Sequence, residues 1–216
     1  MSDHPTDHIT RYAAFMDRRA DADPKEAVGG LWEEIGLWQL DLMRGFGLEP
    51  QHHLLDLGCG SFRGGRHFIR FLKPLHYTGI DISPRIIETG CELLASEGIA
   101  ADDFMVHVIN STDLSFLPRQ FDFVLAQSVF THSPLTVCDE LLRNIAGTLT
   151  ERGRFVFTFF EGSEAYDASR ENYYYPREVL SRAAAKHGLE MSFPAATPHP
   201  RGQTVVLCEK VITAAV

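Results

Sequence analysis

The sequence predicts a doubly wound α/β fold: a mostly parallel seven-stranded sheet with an antiparallel last strand, helices on both faces and an N-terminal helical lid. Three observations predict it. From residue 53 onward short apolar runs alternate with stretches of helical spacing. Glycine-rich or Ser-Pro turns separate them. The final β-rich run, Gln203 to Val211, follows a helix stop at Gly188 and a short partner segment near Leu189 to Phe193. Strands that alternate with helices through short loops imply a parallel sheet covered on both sides.

The elements follow in order. Residues 1 to 25 have weak periodicity, with an apolar cluster at Tyr12, Ala13, Phe15 and Met16. From Val28 to Phe46 the apolar positions recur at helical spacing, and Gly45, Gly47 and Pro50 end the run. His53 to Leu57 reads as a buried strand, followed by a glycine-rich turn and a helix from Arg66 to Leu72. Tyr77 to Asp81 is the second strand. Ser83-Pro84 then opens a helix to Ser96, with serine as cap and proline in the first turn. Phe104 to Ile109 and Phe121 to Ala126 are the third and fourth strands. Ser133-Pro134 repeats the helix start, and that helix runs to Leu149. Gly153 leads into a fifth strand, Arg154 to Phe160, and Pro176 to His187 is helical. No repeat or linker divides the chain. The expectation is one domain over 1–216, with a helical cap at 1–48 and a core at 49–216.

Composition narrows the function. The net charge of -9 and the lack of a Lys/Arg run disfavour a nucleic-acid partner. The N-terminal residues have no apolar signal core, and Glu33, Glu34, Asp41 and Arg44 interrupt the longest candidate membrane segment. No membrane partner is expected. The four cysteines, Cys59, Cys91, Cys138 and Cys208, form no zinc spacing and read as reduced thiols of a cytoplasmic protein. The histidines make no metal-ligand pattern, so no metal is expected.

Chemistry is expected at the carboxyl ends of the strands, where open parallel sheets bind ligands. After the first strand stands Asp56-Leu57-Gly58-Cys59-Gly60-Ser61-Phe62-Arg63-Gly64-Gly65. Its glycines allow a tight turn and close approach to a ligand. After the second strand stands Asp81, a carboxylate able to accept both hydroxyls of a ribose. Nucleotide-binding domains share such loops, but two details separate this one. Asp56 would repel a pyrophosphate and suits a cation bearing a sulfonium and an α-ammonium. Gly58-x-Gly60-x-x-Arg63 also lacks the third glycine of the dinucleotide fingerprint, which disfavours a nicotinamide dehydrogenase.

Four segments in this order, LLDLGCG (54–60), GIDIS (79–83), FDFVLAQSVFTH (121–132) and LLRNIAGTLTERGRFVFT (141–158), resemble the class I S-adenosylmethionine-dependent methyltransferase family. The likeness covers roughly residues 50 to 190. It implies S-adenosylmethionine as cofactor. It also implies that Asp56, Gly58 and Gly60 hold the methionine part, with Ser61 in the same loop, and that Asp81 holds the ribose. Ile82 would pack on the adenine, Ser111 and Thr112 would lie at its edge, and Gln127 and Ser128 would line the floor under the sulfonium. Two departures stand out. The glycine usual shortly after Gly60 is replaced by Ser61-Phe62, with Gly64-Gly65 following, and the acid often found after strand three is replaced by Ser111, unless Asp113 serves. Arg63 or Arg66 either clamps the methionine carboxylate or belongs to a solvated helix face.

Methyl transfer to a protonated oxygen or nitrogen also needs a base. His132, after the fourth strand, is the first candidate; the competing reading is a residue that caps or packs the next helix. Glu161 is the second. Tyr12, Phe15 and Tyr174 are candidates for the acceptor pocket, whereas Trp32 and Trp38 read as core. The expected function is methyl transfer to O or N of a small molecule. The alternatives are a non-catalytic protein binding S-adenosylmethionine or S-adenosylhomocysteine, and a methyltransferase acting on protein or RNA. The oligomeric state, homodimer included, stays open.

Overall fold

The computed structural model describes residues 5–169, 171–195 and 198–211. It is an α/β fold with mostly parallel strand pairing and antiparallel edge strands. Two compact units divide it, residues 1–111 and 112–216.

In the first unit, α1 (Pro5–Ala22) is an 18-residue helix where the sequence showed only weak periodicity. Just a few of its residues are buried, among them His8, Ile9 and Ala20. Much of its anchorage is polar: Asp17 accepts hydrogen bonds from the Ser83 hydroxyl and the Arg85 N–H, and Asp21 pairs with the Arg85 guanidinium. The expected helix from Val28 is shorter. Asp23 caps the brief α2 (Pro24–Ala27), Gly29 and Gly30 turn the chain at positive φ, and α3 (Trp32–Gly45) begins only after Leu31. Ile35, Trp38, Leu42 and Met43 form its buried stripe.

β1 (Leu54–Leu57) is wholly buried, as its apolar run predicted. α4 (Gly65–Phe71), β2 (Tyr77–Asp81), α5 (Pro84–Ser96) and β3 (Met105–Val108) follow. β1 pairs parallel with β2, and β2 parallel with β3. Asp56 therefore lies opposite Gly79, and both strands deliver their carboxyl ends at the same level.

In the second unit, β4 (Phe121–Ala126) pairs parallel with the long β5 (Leu149–Glu161). α6 (Leu135–Thr148) lies between them in sequence, and Pro134 rather than Ser133 occupies its cap. β6 (Tyr166–Ser169) and β7 (Asn172–Tyr175) form a hairpin, with β7 parallel to the end of β5. α7 (Arg177–Ala185), β8 (Leu189–Ser192) and β9 (Thr204–Lys210) complete the unit. β9 runs antiparallel to both β5 and β8, as the sequence indicated for the last strand. Among the described residues nine strands stand where seven were expected. The additional pair is the tyrosine-rich hairpin, whose short strands lack the apolar runs that revealed the others. Among the described residues no helix is long and apolar enough to cross a membrane.

Candidate functional site

The loop after β1 is built around Phe62. Gly58 and Gly60 turn at positive φ (73° and 56°), and so does Phe62 at 64°. An L-residue in this region costs about 1–2 kcal/mol. The surroundings enforce it, because the Phe62 ring is fully buried in a slot made by glycines. A Cβ on Gly90 would meet Phe62 Cδ2 at 2.7 Å, and one on Gly65 would meet Tyr77 Oη at 2.6 Å. Gly65 of the loop and Gly90 of α5 thus make room for Phe62, and Gly65 for Tyr77 as well.

Tyr77 Oη donates to the Asp56 carboxylate at 2.8 Å. Burial raises the Asp56 carboxyl from 3.8 to about 7, with Asp81 adding repulsion and Tyr77 and Arg63 opposing the rise. A cationic ligand would favour the ionised form of this group. Asp81, at the end of β2, accepts the Gly60 N–H on one oxygen and the Ser83 N–H on the other, both at 3.0 Å. The Ile82 N–H adds to these contacts, and a carboxylate has about four acceptor sites, so capacity remains for a ribose hydroxyl. Burial also raises the Asp81 carboxyl. Ile82, half-buried, follows directly. A buried carboxyl, a half-buried one and a glycine loop between them fit the methionine and ribose ends of S-adenosylmethionine.

Ser61 and Arg63 act on the N-terminal segment. The Ser61 hydroxyl donates to the Pro24 carbonyl at 2.6 Å, and Arg63 Nη1 donates to the carbonyls of Val28 and Gly30, both at 2.8 Å. Neither arginine considered at the sequence level is on a solvated helix face, for Arg63 and Arg66 are both buried. Arg66 pairs with Glu33 and Glu97 and stacks over Trp32. Cys59 is buried and its thiol is pushed well up by desolvation, which keeps it a packed small residue. Ser111 is half-buried. Tyr12 lies on α1 between His8 and Phe15, with ring centroids 5.9 and 5.8 Å away, and Arg19 covers Phe15.

In the second unit the residues after β4 form a polar cluster. Ser128 has φ 61°, and its N–H donates to Thr158 Oγ1 at 2.8 Å. Its hydroxyl lies 3.0 Å from Gln203 Oε1 and 2.7 Å from Gln203 Nε2. Gln127 is buried, and its carboxamide reaches both Ser128 Oγ and His199. His199 and Gln203 carry no sequence signal, since each joins the cluster only through folding. Thr112 donates to Glu140 on α6 at 2.8 Å, and its carbonyl accepts from Asn144. Asp113 is exposed and caps its own turn through Ser115, which holds its carboxyl below the usual range.

His132 stands in a 3-10 turn (Phe130–His132). Its Nδ1 faces the Glu171 carbonyl at 2.5 Å, and a carbonyl only accepts. Nδ1 therefore carries the proton and Nε2 is the basic atom, the tautomer a general base requires. Tyr175 Oη donates to the Ser133 carbonyl at 2.7 Å, so the β6–β7 hairpin is tied twice to this turn. Tyr174 is stacked between Phe160 and Tyr166, at 5.0 and 4.7 Å. Glu161 forms a paired bridge to Arg177 at 2.7 and 2.8 Å and accepts from Thr204, and Arg177 holds its carboxyl below the usual range. That makes it a bracket between strand ends and a poor base. Among the described residues no group of three or more His, Cys, Asp or Glu side chains could hold a metal ion.

Comparison with known proteins agrees with this architecture. Residues 55–155 match the methyltransferase domain family. A magnesium protoporphyrin IX methyltransferase from Synechocystis PCC 6803, solved with bound S-adenosylhomocysteine, is 14% identical with a TM-score of 0.65, covering 82% of this chain and 83% of its own. A DhpI complex with S-adenosylhomocysteine is also 14% identical, with a TM-score of 0.68 and coverage of 97% and 98%. A Haemonchus contortus phosphoethanolamine N-methyltransferase 2, in complex with phosphomonomethylethanolamine and S-adenosylhomocysteine, is 21% identical with a TM-score of 0.65, covering 88% of this chain and 46% of that one. Residues 55–155 thus match a methyltransferase domain, and the fold that carries the glycine loop between Asp56 and Asp81 is similar to that of proteins solved with S-adenosylhomocysteine bound.

Proposed function

We propose that this protein transfers a methyl group from S-adenosylmethionine to an oxygen or nitrogen of a small-molecule acceptor. The observation that carries the reading is the bond from Gly60 N–H to Asp81, which joins the glycine loop of β1 to the acid ending β2. Asp56, Gly58 and Gly60 would hold the methionine part, and Asp81 and Ile82 the ribose and adenine. Gln127 and Ser128 would line the methyl-bearing end. Bound S-adenosylmethionine supplies an electrophilic methyl on a sulfonium. The chain's own tasks are to position that group, exclude water and move one proton.

His132 is suited to the last task, because its Nδ1–H bond to the Glu171 carbonyl turns the basic Nε2 outward from that bond. A small acceptor is supported by the relatives, whose names refer to a protoporphyrin and a phosphoethanolamine. Calorimetric titration with S-adenosylmethionine and S-adenosylhomocysteine, with NADH as control, tests the cofactor. Micromolar binding of both sulfur nucleotides and none of NADH is expected. Once an acceptor is found by screening, His132→Asn should lower kcat by about 10²–10⁴-fold with cofactor affinity unchanged. An unchanged kcat would remove His132 from the mechanism.

A further inference from the structure

His199 lies 72 residues from Gln127 in sequence and is 5% exposed. The Arg201 N–H donates to its Nδ1 at 3.0 Å. A ring that accepts at Nδ1 is neutral and carries its proton on Nε2. That Nε2 lies 3.2 Å from the Gln127 Nε2 position, which is also 2.6 Å from Ser128 Oγ. Two N–H donors do not bond each other. The carboxamide of Gln127 therefore turns its oxygen to this position, where it accepts from both His199 and Ser128.

With the Ser128 hydroxyl proton on Gln127 at 2.6 Å rather than on Gln203 Oε1 at 3.0 Å, the remaining bonds follow. Ser128 Oγ accepts an N–H of Gln203 at 2.7 Å. Gln203 Oε1 accepts the Thr158 hydroxyl at 2.5 Å, and Thr158 Oγ1 accepts the Ser128 N–H at 2.8 Å. Reversing the Gln127 carboxamide sets its N–H against the N–H of His199 in a buried setting. Two backbone N–H groups that cannot be reversed hold the ends of this chain of bonds, that of Arg201 on His199 Nδ1 and that of Ser128 on Thr158 Oγ1.

We propose that His199 is a positioning residue whose neutral, Nε2-protonated ring locks the orientation of Gln127 and Ser128 at the end of β4. The role rests on the proposed assignment of those two residues to the cofactor. The lock serves binding of the sulfur nucleotide rather than proton transfer, since both ring nitrogens are already engaged.

The test combines nitrogen NMR of the full-length protein with titration of S-adenosylhomocysteine. His199, identified by the resonances lost in His199→Gln, should show a protonated Nε2 and a bare Nδ1. Glutamine keeps a donor at the ε position, so H199Q should bind S-adenosylhomocysteine within about threefold of wild type and leave the Gln127 amide resonances in place. H199N and H199A should bind about tenfold more weakly and shift those resonances, the size expected for one unsatisfied buried group. An Nδ1-protonated ring, or wild-type binding by H199A, would overturn the proposal. Equal losses in all three variants would reduce His199 to packing and overturn the role alone. No binding by the wild type would overturn the cofactor reading and this role together.

Discussion

The turns after β1 and after β4 solve the same problem differently. Each places a non-glycine residue at positive φ, Phe62 at 64° and Ser128 at 61°. At Phe62 the strain is held by shape, a buried ring in a slot that glycines leave open. At Ser128 it is held by hydrogen bonds to Thr158, Gln203 and Gln127. A sparsely populated backbone conformation persists only where its neighbours over-determine it. Packing does this over a broad contact area, whereas polar bonds do it through a few atoms that also define a direction.

The sharpest way to break the comparison is at Phe62. Phe62→Ala should cost about 3–5 kcal/mol in urea unfolding, as the slot empties while the left-handed backbone remains. Phe62→Gly should be about 1 kcal/mol more stable than the alanine variant, the reverse of the usual order. An alanine variant as stable as the glycine variant would show that the backbone there is unstrained.

Asp56, beside that slot, gives the next effect. Its folded pKa of about 7 exceeds the ordinary 3.8 because of burial, so the folded chain holds the proton more tightly than the unfolded chain. Its stabilising contribution is complete below pH about 4, is lost as pH rises to about 7, and stays lost above that. Asp56→Asn should remove this slope and gain on the order of 3 kcal/mol at pH 8, while weakening binding of S-adenosylmethionine. Urea titrations of both proteins at pH 5 and pH 8 read the slope directly; parallel curves would refute the assignment.

Ser128→Ala should cost about 1–2 kcal/mol, since Gln203 and Gln127 lose a shared partner while the positive φ persists. The smallest effect is expected at Glu161→Gln, below about 1 kcal/mol, because the bridge to Arg177 is exposed. A large loss of stability there would mean that the bracket does more than join strand ends.

Legibility in the sequence follows the same division. The core strands could be read because apolar runs such as Leu54-Leu55 and Phe123-Val124-Leu125 are buried where they stand. The turn at Gly58 and Gly60 could be read because its glycine motif is local. Helix α1 could not, since much of its anchorage comes from Asp17 and Asp21 on Ser83 and Arg85 rather than from an apolar stripe. The β6–β7 hairpin escaped because its tyrosines stack on one another and on Phe160 without an alternating pattern. His199 escaped because its partners lie in other elements. Arg63 was visible, but not that it would face the chain's own backbone.

That last feature bears on how the sequence can drift. Arg63 and Ser61 grip the segment before α3 by the carbonyl oxygens of Pro24, Val28 and Gly30, which every amino acid possesses. The cover over the glycine loop is thus recognised as a path and not as a set of side chains. Its residues are free to exchange as long as the path is kept, except Gly29 and Gly30, whose φ of 91° and 62° disfavours other side chains, and Val28, whose Cγ1 lies 2.5 Å from where a Cβ on Gly60 would stand. Homologues with unrelated sequence in this stretch can keep the same cover, provided an arginine and a serine follow the second glycine of the loop.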